Sequence, residues 1–197
     1  MGRISRFLDD LVRLRREQGV MAVLHLVRQR ISYVSETLLF ERYATGAAHE
    51  LPEGLRAFTV HSEEDPGFDL LRQSGGELNP GYFRRAAVAG VLCVGDEAVG
   101  HRWDFPYSPL AQRLGPNATY FGKAYVRPEF RGKGYNRELF RYMEGRLPKG
   151  TRILMEVDPP NVSSQRSLLK AGCTLVGTLQ VITLFTALVR VRIRPAG

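Results

Sequence analysis

The stretch Val126-Arg-Pro-Glu-Phe-Arg131-Gly-Lys-Gly134-Tyr-Asn136 decides how this chain is read. It joins a strand, predicted over residues 117–126 and ended by Pro128, to a helix predicted over 135–147. Leu139, Tyr142, Met143 and Leu147 share one face of that helix. Gly132 and Gly134 allow a sharp turn and a close approach of backbone to a ligand, with no Cβ in the way. The helix directs its free N–H groups and the positive end of its dipole back at the turn, and Arg131 and Lys133 add charge there. Such an arrangement suits a pyrophosphate. A plain glycine turn with solvated charges would carry the same residues, and short glycine motifs recur by chance.

Upstream, from Gly54, the pattern alternates strands and helices. A strand is predicted over 56–61, short helices over 68–74 and 81–86, and a hairpin of 90–94 with 98–103 across Gly95-Asp96-Glu97. Downstream, a buried strand at 153–157 leads to a helix at 162–171 closed by Gly172, and residues 175–194 supply the last strands. In Val189-Arg-Val-Arg-Ile-Arg194 the alternation predicts a half-buried strand with arginines on one face. Before residue 44, helical spacing places Ile4, Phe7, Leu8, Leu11 and Leu14 on one face. A second helix, marked by Met21, Leu24, Val27, Ile31 and Val34, extends toward Leu39. Residues 44–54 read as a linker. The mixture indicates an α/β or α+β sheet.

At 197 residues the chain suits one domain with a modest extension. Its net charge of +8 is unevenly placed: residues 1–119 hold 14 basic and 15 acidic side chains, residues 120–197 hold 14 and 5. A basic half suits a polyanion, whether CoA, nucleic acid or anionic lipid. The two cysteines, Cys93 and Cys173, have no partner at metal-ligand spacing and read as reduced thiols; no metal is expected. The apolar run at 20–27 is short, is cut by His25 and lacks a cleavage site, so it does not read as a signal peptide. No run reaches the length of a spanning helix. Arg6 breaks a myristoylation motif. The sequons at Asn117 and Asn161 read as chance matches.

Residues 131–136 resemble the acyl-CoA-binding signature of the GNAT superfamily of N-acyltransferases, with Arg131 and Gly134 on the pattern and Asn136 where Gly or Ala is usual. A side chain there is expected to crowd the phosphate. Val157-Asp-Pro-Pro-Asn161, with Ser164, Leu168, Lys170 and Gly172, resembles the same family's next strand-to-helix segment. The resemblance is specific over 120–175, extends from 55 onward and is absent for 1–50. It implies a mixed, mostly antiparallel twisted sheet of six to seven strands flanked by helices, forming an acyltransferase domain over 55–197 after a helical extension over 1–45. It also implies acetyl-CoA, or another acyl-CoA, as co-substrate. Arg131, Gly132, Lys133, Gly134, Tyr135 and Asn136 would hold the pyrophosphate. Asn161 would meet the pantetheine arm, a position that also predicts a helix N-cap, and Ser164 the nucleotide end. The backbone of Tyr125 and Val126 would polarise the thioester carbonyl.

Two departures bear on catalysis. Leu168 stands where many members place a tyrosine near the sulfur, and leucine donates no proton. The strand Tyr120-Phe-Gly-Lys-Ala-Tyr-Val126 lacks the carboxylate that many members use as general base. Candidates for that base are His101 and Asp104, or Glu156 and Asp158, with Tyr125 able to orient a water or line the cleft. The expected reaction is direct attack of a primary amine, on a small molecule or sugar precursor, upon acyl-CoA in a ternary complex. The acidic residues Glu63, Glu64, Asp65 and Asp69 offer a surface for a cationic acceptor. Two other readings stay open: a non-catalytic CoA-binding regulator or scaffold, and a basic nucleic-acid-binding module, for which no motif appears. The reading places the protein in the cytoplasm. Residues 1–40 form a basic amphipathic segment compatible with peripheral membrane contact, with packing on the catalytic domain, or with a homodimer.

Overall fold

The structure, a computed structural model, describes residues 12–13, 15–23, 33–184 and 187–195. The chain divides into two compact units, residues 37–178 with 195–197, and residues 1–36 with 179–194. Eight strands form one sheet in the order β2-β3-β4-β5-β6-β1-β7-β8. They are β1 (Tyr33–Tyr43), β2 (Leu55–Val60), β3 (Val88–Val94), β4 (Glu97–Phe105), β5 (Ala118–Val126), β6 (Arg152–Val157), β7 (Thr174–Leu184) and β8 (Ala187–Pro195). Helix α1 covers residues 15–23. The others are α2 (Phe68–Gln73), α3 (Pro109–Leu114), α4 (Tyr135–Glu144) and α5 (Val162–Lys170). The architecture is the expected mixed, mostly antiparallel sheet flanked by helices, with eight strands where six to seven are read from the sequence.

In the larger unit, β2 to β5 form an antiparallel meander. The crossover through α4 then brings β6 in parallel to β5, and β6 pairs antiparallel with β1. The run Val88-Ala-Gly-Val-Leu-Cys-Val94 is apolar throughout because both faces of the sheet are covered. Ala89, Val91 and Cys93 pack with Val60, Leu71 and Trp103 on one side. Leu92, with Val99 and Phe121, meets Leu139, Phe140 and Met143 of α4 and Leu168 of α5 on the other. Tyr82 and Phe83, in a 3-10 turn at Pro80–Arg85, close the first side by edge and tilted contacts on Trp103. The hairpin forms as expected, with Val94 opposite Glu97.

The helical extension expected over 1–45 is corrected over its last part: residues 33–43 are strand β1. The spacing of Val34 and Leu38 suits a helix, yet Leu38, Phe40 and Arg42 face Val157, Met155 and Ile153 in register, and burial on the sheet overrides local pattern. Residues 24–32, the middle of that predicted helix, and residues 4–11 of the preceding one lie outside the described residues. Helix α3, unread in the sequence, is capped by Ser108, whose hydroxyl accepts from Leu110 and Ala111 N–H. In the smaller unit, Glu36 accepts from Gln180 and lies 3.9 Å from Arg194. Val12, Val20 and Met21 are exposed. Among the described residues no helix is long and apolar enough to cross a membrane.

Gly100 positions the functional strand. A Cβ there would lie 2.5 Å from Tyr125 O and 3.2 Å from Val126 Cα, so only glycine lets β4 approach β5 this closely. Gly100→Ala is expected to lower unfolding free energy by about 1–3 kcal/mol in urea denaturation, because backbone atoms cannot rotate away.

Candidate active site

β5 and β6 hold each other only where Ala118, Thr119 and Tyr120 face Arg152, Ile153 and Leu154. Past that point they part, and a cleft of about 350 Å³ opens between residues 120–124 and 155–158, closed at one side by Asn161, Ser164 and Leu168 of α5. Alongside the cleft, β5 is bulged in its ladder with β4. His101 faces Tyr125 and Trp103 faces Gly122, so β5 carries an extra residue opposite Arg102, and Lys123 takes φ +49°. A bulge beside a cleft re-aims backbone groups that a regular ladder would consume.

The glycine loop stands just past β5. Gly132 and Gly134 have φ +81° and +82°, as their residue type permits. Gly134 caps α4, where its carbonyl accepts from Arg137 and Glu138 N–H. The amides of residues 132–136 have no backbone acceptor among the described residues. Arg131 Nε donates to Val126 O at 3.0 Å, and its guanidinium lies 5.8 Å from the Tyr125 ring. Neither Arg131 nor Lys133 is paired with a carboxylate among the described residues, whereas Arg127 is held by Glu97 and Glu129 and Arg137 by Glu138. Free amides at a helix start, with two cations that no carboxylate holds among the described residues, fit a pyrophosphate.

Asn136 does not crowd this loop. Its side chain turns inward and its Oδ1 accepts from Arg102 Nη2 at 2.8 Å. Arg102 is 3% exposed, lines the cleft, and lies 5.4 Å from the Phe140 ring. Its Nε has no hydrogen-bond partner, and it has no ion-pair partner among the described residues. Burial pulls its ionisation down to about 10.

Glu156 also lines the cleft. Its carboxylate accepts from Thr37 Oγ1 at 2.9 Å. Burial raises its pKa, partly offset by the Thr37 bond, and the Asp158 charge adds to the rise. Asp158 lines the cleft and is exposed. Asn161 caps α5, accepting from Ser164 N at 3.1 Å. Leu168 lies in the cleft and packs with Phe121 and Met155.

His101 does not suit the role of proton acceptor read for it. It is 1% exposed, with Nδ1 2.7 Å from the Ser74 hydroxyl and its ring stacked 5.9 Å from Tyr125. Strand alternation turns it to the α2 side of β4 while Arg102 faces α4, and burial lowers its pKa to about 4. Asp104 is sealed likewise, accepting from the Thr119 hydroxyl, with its pKa raised by burial to about 6. Tyr125 and Val126 lie beside the cleft and do not line it. The acidic run serves local structure: Asp65 accepts from His61 and Gly67 N–H, and Asp69 stands 3.8 Å from Arg72. Arg102, Thr37 and the bulge at Lys123 went unread. A charged residue in the centre of the doubly covered strand Val99-Gly-His-Arg-Trp103 is the sequence signal that marks Arg102.

A meander, a parallel crossover, a parted strand pair and an amide-lined loop at the start of α4 make up a GNAT fold. The model of the acetyltransferase (GNAT) family matches residues 49–172, and this chain belongs to that family. Solved structures share the fold at low identity. A GCN5-related N-acetyltransferase from Kribbella flavida is 15% identical with TM-score 0.54, over 84% of this chain and 63% of that one. A GNAT-family acetyltransferase from Novosphingobium aromaticivorans is 15% identical with TM-score 0.58, over 77% and 64%. A conserved protein from Staphylococcus epidermidis is 13% identical with TM-score 0.55, over 90% and 79%. The chain thus spans a little under two thirds of the first two. No curated protein matches it. Among the described residues no group of three His, Cys, Asp or Glu is placed to hold a metal.

Asp104 gives a stability test. Its folded pKa of about 6 exceeds the ordinary 3.8, so the native state holds more protons between those values and loses stability as pH rises through them. Asp104→Asn, which keeps an acceptor for Thr119, is expected to gain about 1–3 kcal/mol at neutral pH. The gain should vanish near the ordinary carboxylate pKa in denaturation curves taken across pH. His101 acts with the opposite sign, since its depressed pKa costs stability as pH falls toward about 4, and it does so equally in both proteins.

Proposed function

We propose that this protein transfers an acyl group, acetyl in the simplest case, from acyl-CoA to the primary amine of a small molecule or sugar precursor. The observation that carries the reading is the opening between β5 and β6, with unpaired amides and carboxylate-free cations beside one end and the Glu156 carboxylate in its wall. Arg131, Lys133 and the amides of residues 132–136 would bind the pyrophosphate, with Asn161 and Ser164 along the pantetheine arm. The bulged backbone running to Tyr125 and Val126 would supply the N–H groups that polarise the thioester carbonyl.

Glu156 is assigned as proton acceptor. The amine nitrogen forms its bond to the carbonyl carbon, the C–S bond breaks with its electron pair kept by sulfur, and the proton lost from nitrogen passes to the Glu156 carboxylate and then to solvent. A carboxyl with a raised pKa beside a half-buried threonine is a better base than an exposed one. Leu168 favours one other reading, a CoA-binding protein without turnover.

Acetyl-CoA at about a hundred times its Kd is expected to stabilise the protein by roughly 2.7 kcal/mol in thermal melts, and Arg131→Glu to abolish that shift. In an amine panel, Glu156→Gln is expected to cost about 10²-fold or more in kcat/KM. The wild-type rate should fall as pH drops through a group above the usual carboxylate range, and the variant should lack that limb. Stabilisation with no turnover on any amine would favour the binding-only reading, and no stabilisation by any acyl-CoA would overturn both.

A further inference from the structure

The cleft has two chemically different sides. Glu156 and Thr37 bond to each other, and Tyr120 lies against Phe105, on the side of the sheet that carries the α2 core. Phe121, Met155 and Leu168 belong to the core on the α4 side. Arg102 projects among that second group, over Phe140, with one guanidinium nitrogen fixed by Asn136 and Nε bare. Burying a guanidinium without a counter-ion is unfavourable, and the usual remedy for a buried cation, loss of its proton, is closed to arginine. A site that keeps such a charge suits an anion that arrives or forms there.

The geometry points to Arg102 as the group that receives the negative charge of the departing CoA thiolate, held in place for this by Asn136. This rests on the acyl-transfer reading above. When the C–S bond breaks, the electron pair stays on sulfur, and Leu168 offers no proton to neutralise it. Arg102, in the same cleft, offers a fixed charge instead. It lowers the pKa of the thiol and donates no proton to the product, so the thiolate leaves ionised and is protonated by solvent. Asn136, a positioning residue, thereby has a reason to stand where a small residue is usual. Among the described residues the other titratable groups near this space are Tyr120 on β5, Asp104 two residues along β4 and bonded to Thr119, and Cys173 after α5, with Lys123, Glu156 and Asp158 on the cleft walls.

The test titrates the thiol of CoA bound to the full chain by the ultraviolet absorbance of the thiolate, with binding of desulfo-CoA, which lacks the sulfur, as the measure of fold and loop. Bound CoA is expected to ionise at least about tenfold more readily in the wild type than in Arg102→Gln, a difference of one pKa unit. Arg102→Lys should retain part of the effect, Asn136→Ala should lose part, and Tyr120→Phe should leave it unchanged, while the wild type and the Arg102 and Tyr120 variants bind desulfo-CoA alike. Equal thiol ionisation in wild type and Arg102→Gln, with desulfo-CoA still bound, would overturn the proposal and leave acyl transfer standing. An Arg102→Gln defect confined to acyl chains ending in a carboxylate would also overturn it, by placing the anion on the acyl group. If the wild type binds neither CoA nor desulfo-CoA, the acyl-transfer reading itself fails.

Discussion

Everything at the site depends on the short partnership between β5 and β6. Backbone N–H and C=O groups inside a protein must be paired, and a parallel pair that stops after Tyr120 and Leu154 leaves the next turn of each strand without its neighbour. The bulge at Lys123 prevents β4 from absorbing the difference, since the extra residue cannot be matched in that ladder. The strands therefore frame a cleft whose walls are backbone as much as side chain. A long, narrow ligand with its own amides, such as a pantetheine arm, complements such walls.

The sheet also sorts chemistry by face. Alternation along β4 sends His101 toward Ser74 and Arg102 toward Asn136, and the same rule sends Glu156 and Met155 to opposite sides of β6. The Glu156 carboxylate and a buried cation thus stand in one cleft without neutralising each other. Asn136 belongs to the loop by sequence and to the cleft by contact. It bonds across 34 residues to Arg102, so the residue that departs from the family pattern is tied to the one that carries the uncompensated charge.

Much of this was legible in the sequence where the physics is local. The hairpin at Gly95-Asp96, the glycine loop before α4 and the asparagine cap of α5 follow from turn and capping chemistry within a few residues, and they stand where read. Strand β1 was not, because Val34 and Leu38 have helical spacing, while the strand from Leu38 to Tyr43 is fixed by β6, more than a hundred residues away. The same distance hides the Thr37 bond to Glu156. Asn136 was read as crowding the phosphate because nothing in the loop reveals that its side chain has a partner on β4.

The sequence by itself determined that a basic glycine turn joins a strand to a helix, and that Leu168 donates no proton, since residue identity alone settles both. Which carboxylates line the cleft, which histidine is sealed and which arginine lacks a counter-ion among the described residues were decided only by tertiary structure. The reason is that the charge state and reach of a side chain depend on the face it occupies and on what covers that face. Strand register and helix packing set both, and both are made from residues far apart in the chain.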